Sequence, residues 1–144
     1  MIYEDDKRGK IVNPARKQQL IDYSGIRYGK ITPTDIDGFF EMINELFIFY
    51  EFKYMDTEFP RGQKMALERL IDVIQDGGMQ AVLLICRHDV HNTDQEIIAA
   101  DCIVDEYRYN KIWWKNNGRT AKEITDNIIK KILPQKAIEY GIVS

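Results

Sequence analysis

The chain has 144 residues, enough to bury a core without a disulfide or metal staple, and is most simply one domain over 1–144. With 44% hydrophobic and 30% charged residues, its composition excludes a disordered tract or a low-complexity protein. The net charge of −3 excludes a uniformly basic surface. It also hides an uneven spread: seven Lys/Arg against four Asp/Glu over residues 1–30, six against sixteen over 31–110, and seven against three over 111–144. Basic ends around an acidic middle suit a polyanion held beside a metal-binding carboxylate cluster. Equally, such charges can be scattered over a solvated surface.

No apolar stretch reaches membrane-spanning length, and the opening "MIYEDDKRGK" is too polar for a signal peptide. A cytoplasmic protein without a membrane partner is therefore expected. The two cysteines, Cys86 and Cys102, each sit in an apolar segment, which predicts buried reduced thiols rather than a disulfide.

In chain order, "NPARKQQLIDYS" predicts a short helix with Asn13 as N-cap and Pro14 at its first position. "IRYGKIT" is a weak strand broken near Gly29. "TDIDGFFEM" and "LFIFYEFKY" are strands joined at "INE". "RGQKMALERLIDVIQ" has the apolar spacing of an amphipathic helix, stopped by Gly77-Gly78. "QAVLLICR" is apolar without alternation, as in a strand covered on both faces. "TDQEIIAADCIVDEY" opens with a capping box, Thr93 to Glu96, which predicts a helix. A second box, Thr120 to Glu123, starts the helix "AKEITDNIIKKIL", and Pro134 follows it. The predicted order is helix, three strands, helix, strand, helix, helix.

The stretch from Asp35 to Lys53 raises a chemical question. Side chains alternate along a strand, so Phe47, Phe49, Glu51 and Lys53 share one face while Ile48, Tyr50 and Phe52 share the other. Both faces begin apolar, so this is a central strand, and Glu51 and Lys53 end a buried face. Left unpaired there they would be costly; they need partners, a metal or a wet cleft. The hairpin loop decides what they meet. A two-residue turn at Asn44-Glu45 sets Asp37 opposite Phe52, whereas a three-residue loop, Ile43 to Glu45, sets Asp37 opposite Glu51 and Asp35 opposite Lys53. Facing carboxylates make sense when a cation lies between them. Gly38 leaves room beside Asp37 for another backbone or a ligand.

The residues "PTDIDG", the strand pair, and "EFK" as an E-x-K element resemble the PD-(D/E)XK nuclease superfamily. Gln63 in "RGQKMALERL" and the following "GG…AVLLI" are similar to its virus-type replication-repair branch, and the element order also resembles the Holliday-junction resolvases. The resemblance covers about residues 13–88. It implies an α/β, restriction-endonuclease-like fold with a helix–three strands–helix–strand core, followed by a helical extension over about 93–144. It further implies a metal-dependent deoxyribonuclease, of phage or mobile-element type, using Mg²⁺ or Mn²⁺. Asp37, Glu51, Lys53 and Gln63 would be its catalytic residues, and Asp37, Glu51 and Asp35 its metal ligands. Because Thr34 separates Pro33 from Asp35, either Asp35 or Asp37 stands for the family's acid; Asp37, followed by glycine and facing Glu51, is preferred. Asp22 is the acid available on the first helix.

DNA, rather than RNA, is the expected partner, with Arg16, Lys17, Lys111, Lys115 and Arg119 from the basic ends on its phosphates. The competing reading of the cluster is a salt bridge in which Lys53 neutralises two acids. The competing function is a nuclease-fold binding protein, an inhibitor or accessory factor without activity, that grips a protein partner. An unrelated interaction domain would go with the two-residue hairpin. His88, His91 and Cys86 are three candidate zinc ligands that lack a fourth at suitable spacing. Trp113 and Trp114, interleaved with basic residues, suit stacking on bases, a core, or the contact of a homodimer.

Overall fold

The computed structural model describes residues 20–116 and 118–142. The first part of the expected N-terminal helix, with Arg16 and Lys17, lies outside them. The chain forms two compact units, Met1–Pro33 and Thr34–Ser144, so the nuclease-like core expected over 13–88 straddles the boundary between them. In the first unit Leu20–Tyr23 is not helical and leads into a 3-10 turn, Ser24–Ile26. The Asp22 carboxylate accepts the Ser24 N–H at 2.9 Å. The strand expected at "IRYGKIT" is only a bridge, Tyr28 to Ile31. Gly29 has φ +64, which reverses the chain too soon for a strand to grow.

In the second unit, five strands form one mixed sheet in chain order: β1 (Gly38–Met42), β2 (Leu46–Tyr54), β3 (Gln80–His88), β4 (Ile103–Tyr109) and β5 (Ile112–Lys115). Neighbours are antiparallel except β2 and β3, which are parallel. A parallel pair requires a crossover, supplied by α1 (Arg61–Asp76). On the other face lie α2 (Ala121–Ile132) and α3 (Pro134–Glu139). Helices on both faces explain why β2 and β3 are apolar on both sides. Phe49, Leu83 and Ile85 pack with Leu67 and Ile71 of α1. Ile48, Leu84 and Val104 pack with Ile124 and Ile129 of α2. Burying a side chain such as Ile71 or Leu84 contributes about 2 kcal/mol.

The α/β class, β1, β2, α1, β3 and α2 thus match expectation. Two expectations are corrected. The three strands before α1 are two strands plus the Tyr28–Ile31 bridge. The extension over 93–144 is not purely helical: Thr93 caps no helix, a 3-10 turn spans Ala99–Asp101, and the chain continues into β4 and β5. "CIVDEYRY" is rich in β-branched and aromatic residues and satisfies the hydrogen-bonding edge that β3 would otherwise leave open. β4 and β5 join through Asn110 and Lys111, with φ of +53 and +64, the two-residue turn favoured in hairpins. "YNKI" was the overlooked signal. Cys86 and Cys102 are buried and unbonded, as expected; burial pushes the Cys86 thiol up to about 12, leaving it inert near neutral pH. Among the described residues no helix is long and apolar enough to cross a membrane.

Candidate active site

The hairpin register places the site. Met42 pairs with Leu46 and Gly38 with Tyr50, so the loop is the three-residue one, Ile43 to Glu45. Its backbone turns through φ of +46 at Ile43 and +56 at Asn44. Asn tolerates that region well, whereas β-branched Ile does so at some strain. The Glu41 carboxylate accepts the Asn44 N–H at 2.6 Å. Continued one pair beyond Gly38, the register sets Asp37 against Glu51. The Asp37 backbone N–H donates to Glu51 Oε1 at 3.2 Å, and the Phe52 N–H donates to Asp37 Oδ2 at 2.8 Å.

Glu51 is 1% exposed. It stands on the α1 side of β2, on the face of Phe47 and Phe49. Burial, then the Asp37 charge, push its carboxyl up to about 7, against the Asp37 N–H and Lys53, which favour the ionised form. Lys53 Nζ lies 3.9 Å from Glu51 Oε2, donates to Gln63 Oε1 at 3.2 Å, and sits 4.7 Å from the centre of the Phe59 ring. Gln63, in the first turn of α1, donates through Nε2 to Glu51 at 3.5 Å and to Asp35 at 3.4 Å. α1 begins at the end of the sheet where β2 finishes, which is why a residue ten positions past Lys53 returns to it.

Asp37, Glu51, Lys53 and Gln63 are therefore gathered at one end of the sheet. Asp35 reaches the cluster through Gln63, and among the described residues no group of three or more His, Cys, Asp or Glu converges as for a metal. A third carboxylate ligand is thus not in place. Two carboxylates are nevertheless a donor set that Mg²⁺ accepts, since that ion keeps several of its waters and takes further oxygens from substrate phosphate. Glu51 and Asp37 together, one buried and both acidic, fit a small hard cation.

Among the described residues, the expected phosphate contacts Lys111 and Lys115 stand at opposite ends of the sheet. Lys111 lies in the β4–β5 turn, at the opposite end of the sheet from Glu51, and pairs with Asp76 at 2.8 Å. Lys115, at the site's end of β5, pairs with Glu106 at 3.0 Å and stays 77% exposed. Arg119 lies exposed just before α2. His88 and His91 flank the Tyr54 ring, while the Cys86 thiol is turned to the Leu84 carbonyl, so these three form no zinc site. Trp113 packs against the α1-side cluster and donates to Glu68 at 3.2 Å. Trp114 is partly exposed, its ring stacked near Tyr107.

Sequence reasoning missed a second polar group on the same face. Asp105 has no partner across β3, because Val104 and Glu106 on either side of it stand opposite the consecutive residues Cys86 and Ile85. This bulge turns Val104 toward α2 but Glu106 and Arg108 toward α1. Buried Arg108 is bidentate to Asp72, at 3.1 and 2.7 Å, and meets Glu68 at 3.0 Å. Lys64 and Lys115 both bond Glu106, and these contacts hold its carboxyl below the usual range against the opposing effect of burial. Arg87 bonds Asp105 and the Thr57 carbonyl. The signal for Arg87 was the one used for Lys53: a charged residue ending a buried face.

The chain matches no family model, no curated protein and no solved structure. The reading of this site therefore rests on its own geometry and chemistry.

Proposed function

We propose that this chain is a metal-dependent nuclease of the PD-(D/E)XK kind that hydrolyses DNA phosphodiester bonds, with β1, β2, α1 and β3 as the heart of a restriction-endonuclease-like fold. One observation carries the reading: Glu51, wholly buried, is held against Asp37 by the hairpin register, with Lys53 on the same face. A structural salt bridge has no need to bury a carboxylate beside a second one. Asp37 and Glu51 would hold Mg²⁺ or Mn²⁺, which when bound supplies an acidified water and positive charge beside the phosphate. Lys53 would orient the attacking water and offset negative charge that grows on the phosphate. Gln63 fixes the Lys53 ammonium through Oε1 and leaves its amide N–H groups to Asp35 and Glu51. The Phe59 ring covers the lysine on one side, which keeps water off it and strengthens its field.

A second reading, a nuclease-fold binding protein without activity, is favoured by one feature: Lys111 and Lys115 are already tied to Asp76 and Glu106. Incubating the purified chain with supercoiled, linear, single-stranded and branched DNA in Mg²⁺ or Mn²⁺ decides between the two. Cleavage is expected, abolished by chelation, with Lys53→Ala lowering turnover by about 100-fold while DNA binding changes little. A wild-type protein that leaves every DNA form intact in both metals overturns the nuclease and leaves the binding protein.

A further inference from the structure

Arg87 is a cation at the site that the chemistry above leaves unused. β2 and β3 run parallel and in register, so Arg87 stands beside Lys53 as Ile85 stands beside Glu51. Ile85 belongs to the α1-side cluster, and Arg87, two residues further on, points to that same face. Like charges on neighbouring strands repel, so each needs an anion. Lys53 has Glu51 at 3.9 Å. Arg87 has Asp105, the unpaired residue of the β4 bulge, and their contact is loose: Nε and Nη2 share the single oxygen Oδ2 at 3.4 and 3.3 Å. Arg108, by contrast, engages both oxygens of Asp72 at 3.1 and 2.7 Å. The Asp105 side chain is also 44% exposed, so water can take over its charge when Arg87 lets go.

We infer that Arg87 is a substrate contact which grips the phosphate next to the scissile one, with Asp105 as the partner it releases on binding. This rests on the nuclease reading and names how that site holds its substrate. A guanidinium fork matches two phosphate oxygens at once, as the Lys53 ammonium cannot. Neighbouring strands lie about 4.8 Å apart, and from there the long side chains of Lys53 and Arg87 can diverge to reach adjacent phosphates. Arg87 and His88 also line a cleft of about 480 Å³ that holds Asp89, Glu96 and Asp101. Those acids would repel a phosphate backbone, which favours its approach from the Lys53 side of Arg87.

The test compares steady-state DNA cleavage by wild type, Arg87→Ala and Asp105→Asn over a range of salt, with a thermal melt for each. Arg87→Ala is expected to raise KM about tenfold with kcat within about twofold, and to reduce the slope of log KM against log salt by about 1. Asp105→Asn removes the ion pair, leaves Arg87 its contact with the Thr57 carbonyl, and is expected to lower KM, which a merely structural ion pair would not do. If Arg87→Ala does not fold, Arg87→Lys replaces it: KM rises while the salt slope stays. Wild type that cuts DNA while the Arg87 variant keeps its KM and slope overturns this inference alone, as does an Asp105→Asn protein whose KM rises. Wild type that cuts nothing overturns the nuclease reading first and this contact with it.

Discussion

Glu51 is held where its charged form is disfavoured, by burial and by Asp37, so its pKa stands at about 7 against an ordinary 4.5. The folded state binds this proton more tightly than the unfolded chain does. Its stabilisation is therefore complete below pH 4.5 and is lost as pH rises through 7. In metal-free protein, Glu51→Gln is expected to raise the melting temperature at pH 8 and to flatten the fall between pH 5 and pH 8 in the melting profile. Mg²⁺, bound preferentially by the folded state, should raise the wild-type melting temperature and leave the Gln variant unmoved. A Gln variant that melts lower at pH 8, with no response to Mg²⁺ in the wild type, would mean that Glu51 is an ordinary salt-bridge partner of Lys53.

Two segments with the same start signal show how elements are decided. Thr120 and Glu123 form a complete capping box, the Thr120 side chain accepting the Glu123 N–H and the Glu123 carboxylate accepting the Thr120 N–H. Thr93 and Glu96 carry the same letters and cap nothing, since Thr93 lies in a turn before β4. Thr120→Ala is therefore expected to cost about 1 kcal/mol, and Thr93→Ala to change stability by less than about 0.5 kcal/mol, both read from urea melts. Equal losses would show that a helix does form over 93–101. Local letters permit a helix in both places. Packing decides: Ala121, Ile124 and Ile129 are buried against the sheet, whereas residues 91–101 are exposed and lead into a strand that β3 captures.

Within the Thr34–Ser144 unit, one polar network ties α1 to the far strands of the sheet. Arg108 is 8% exposed and holds Asp72 and Glu68, both on α1. Arg108→Ala would leave two carboxylates near the core without their cation, a loss of about 3 kcal/mol. The exposed pair Lys111–Asp76 offers a control, because Lys111→Ala should cost less than about 0.5 kcal/mol. Thermal melts of the two variants check the contrast; similar values for both would mean that the network is solvated and adds little to the packing of α1.

The sequence by itself determined the elements whose signals are local. β2 and β3 are apolar on both faces because helices cover both, α1 has one apolar stripe, Gly77 and Gly78 end it, and Thr120 starts α2. It also marked Glu51 and Lys53 as charges closing a buried face. Only the tertiary structure decided what they meet. Two- and three-residue loops are both open to "INE", and the choice falls to whichever register buries Phe40 and Met42 on one side of the sheet and stacks Phe39 on Phe49 on the other. Tertiary structure also made residues 103–109 a strand rather than a helix, brought Arg87 beside Lys53, and assigned Lys111 to Asp76, an acid distant in sequence. Hydrogen-bonded edges and ion pairs form between segments that no local window contains, so their energies enter only when the whole sheet has assembled.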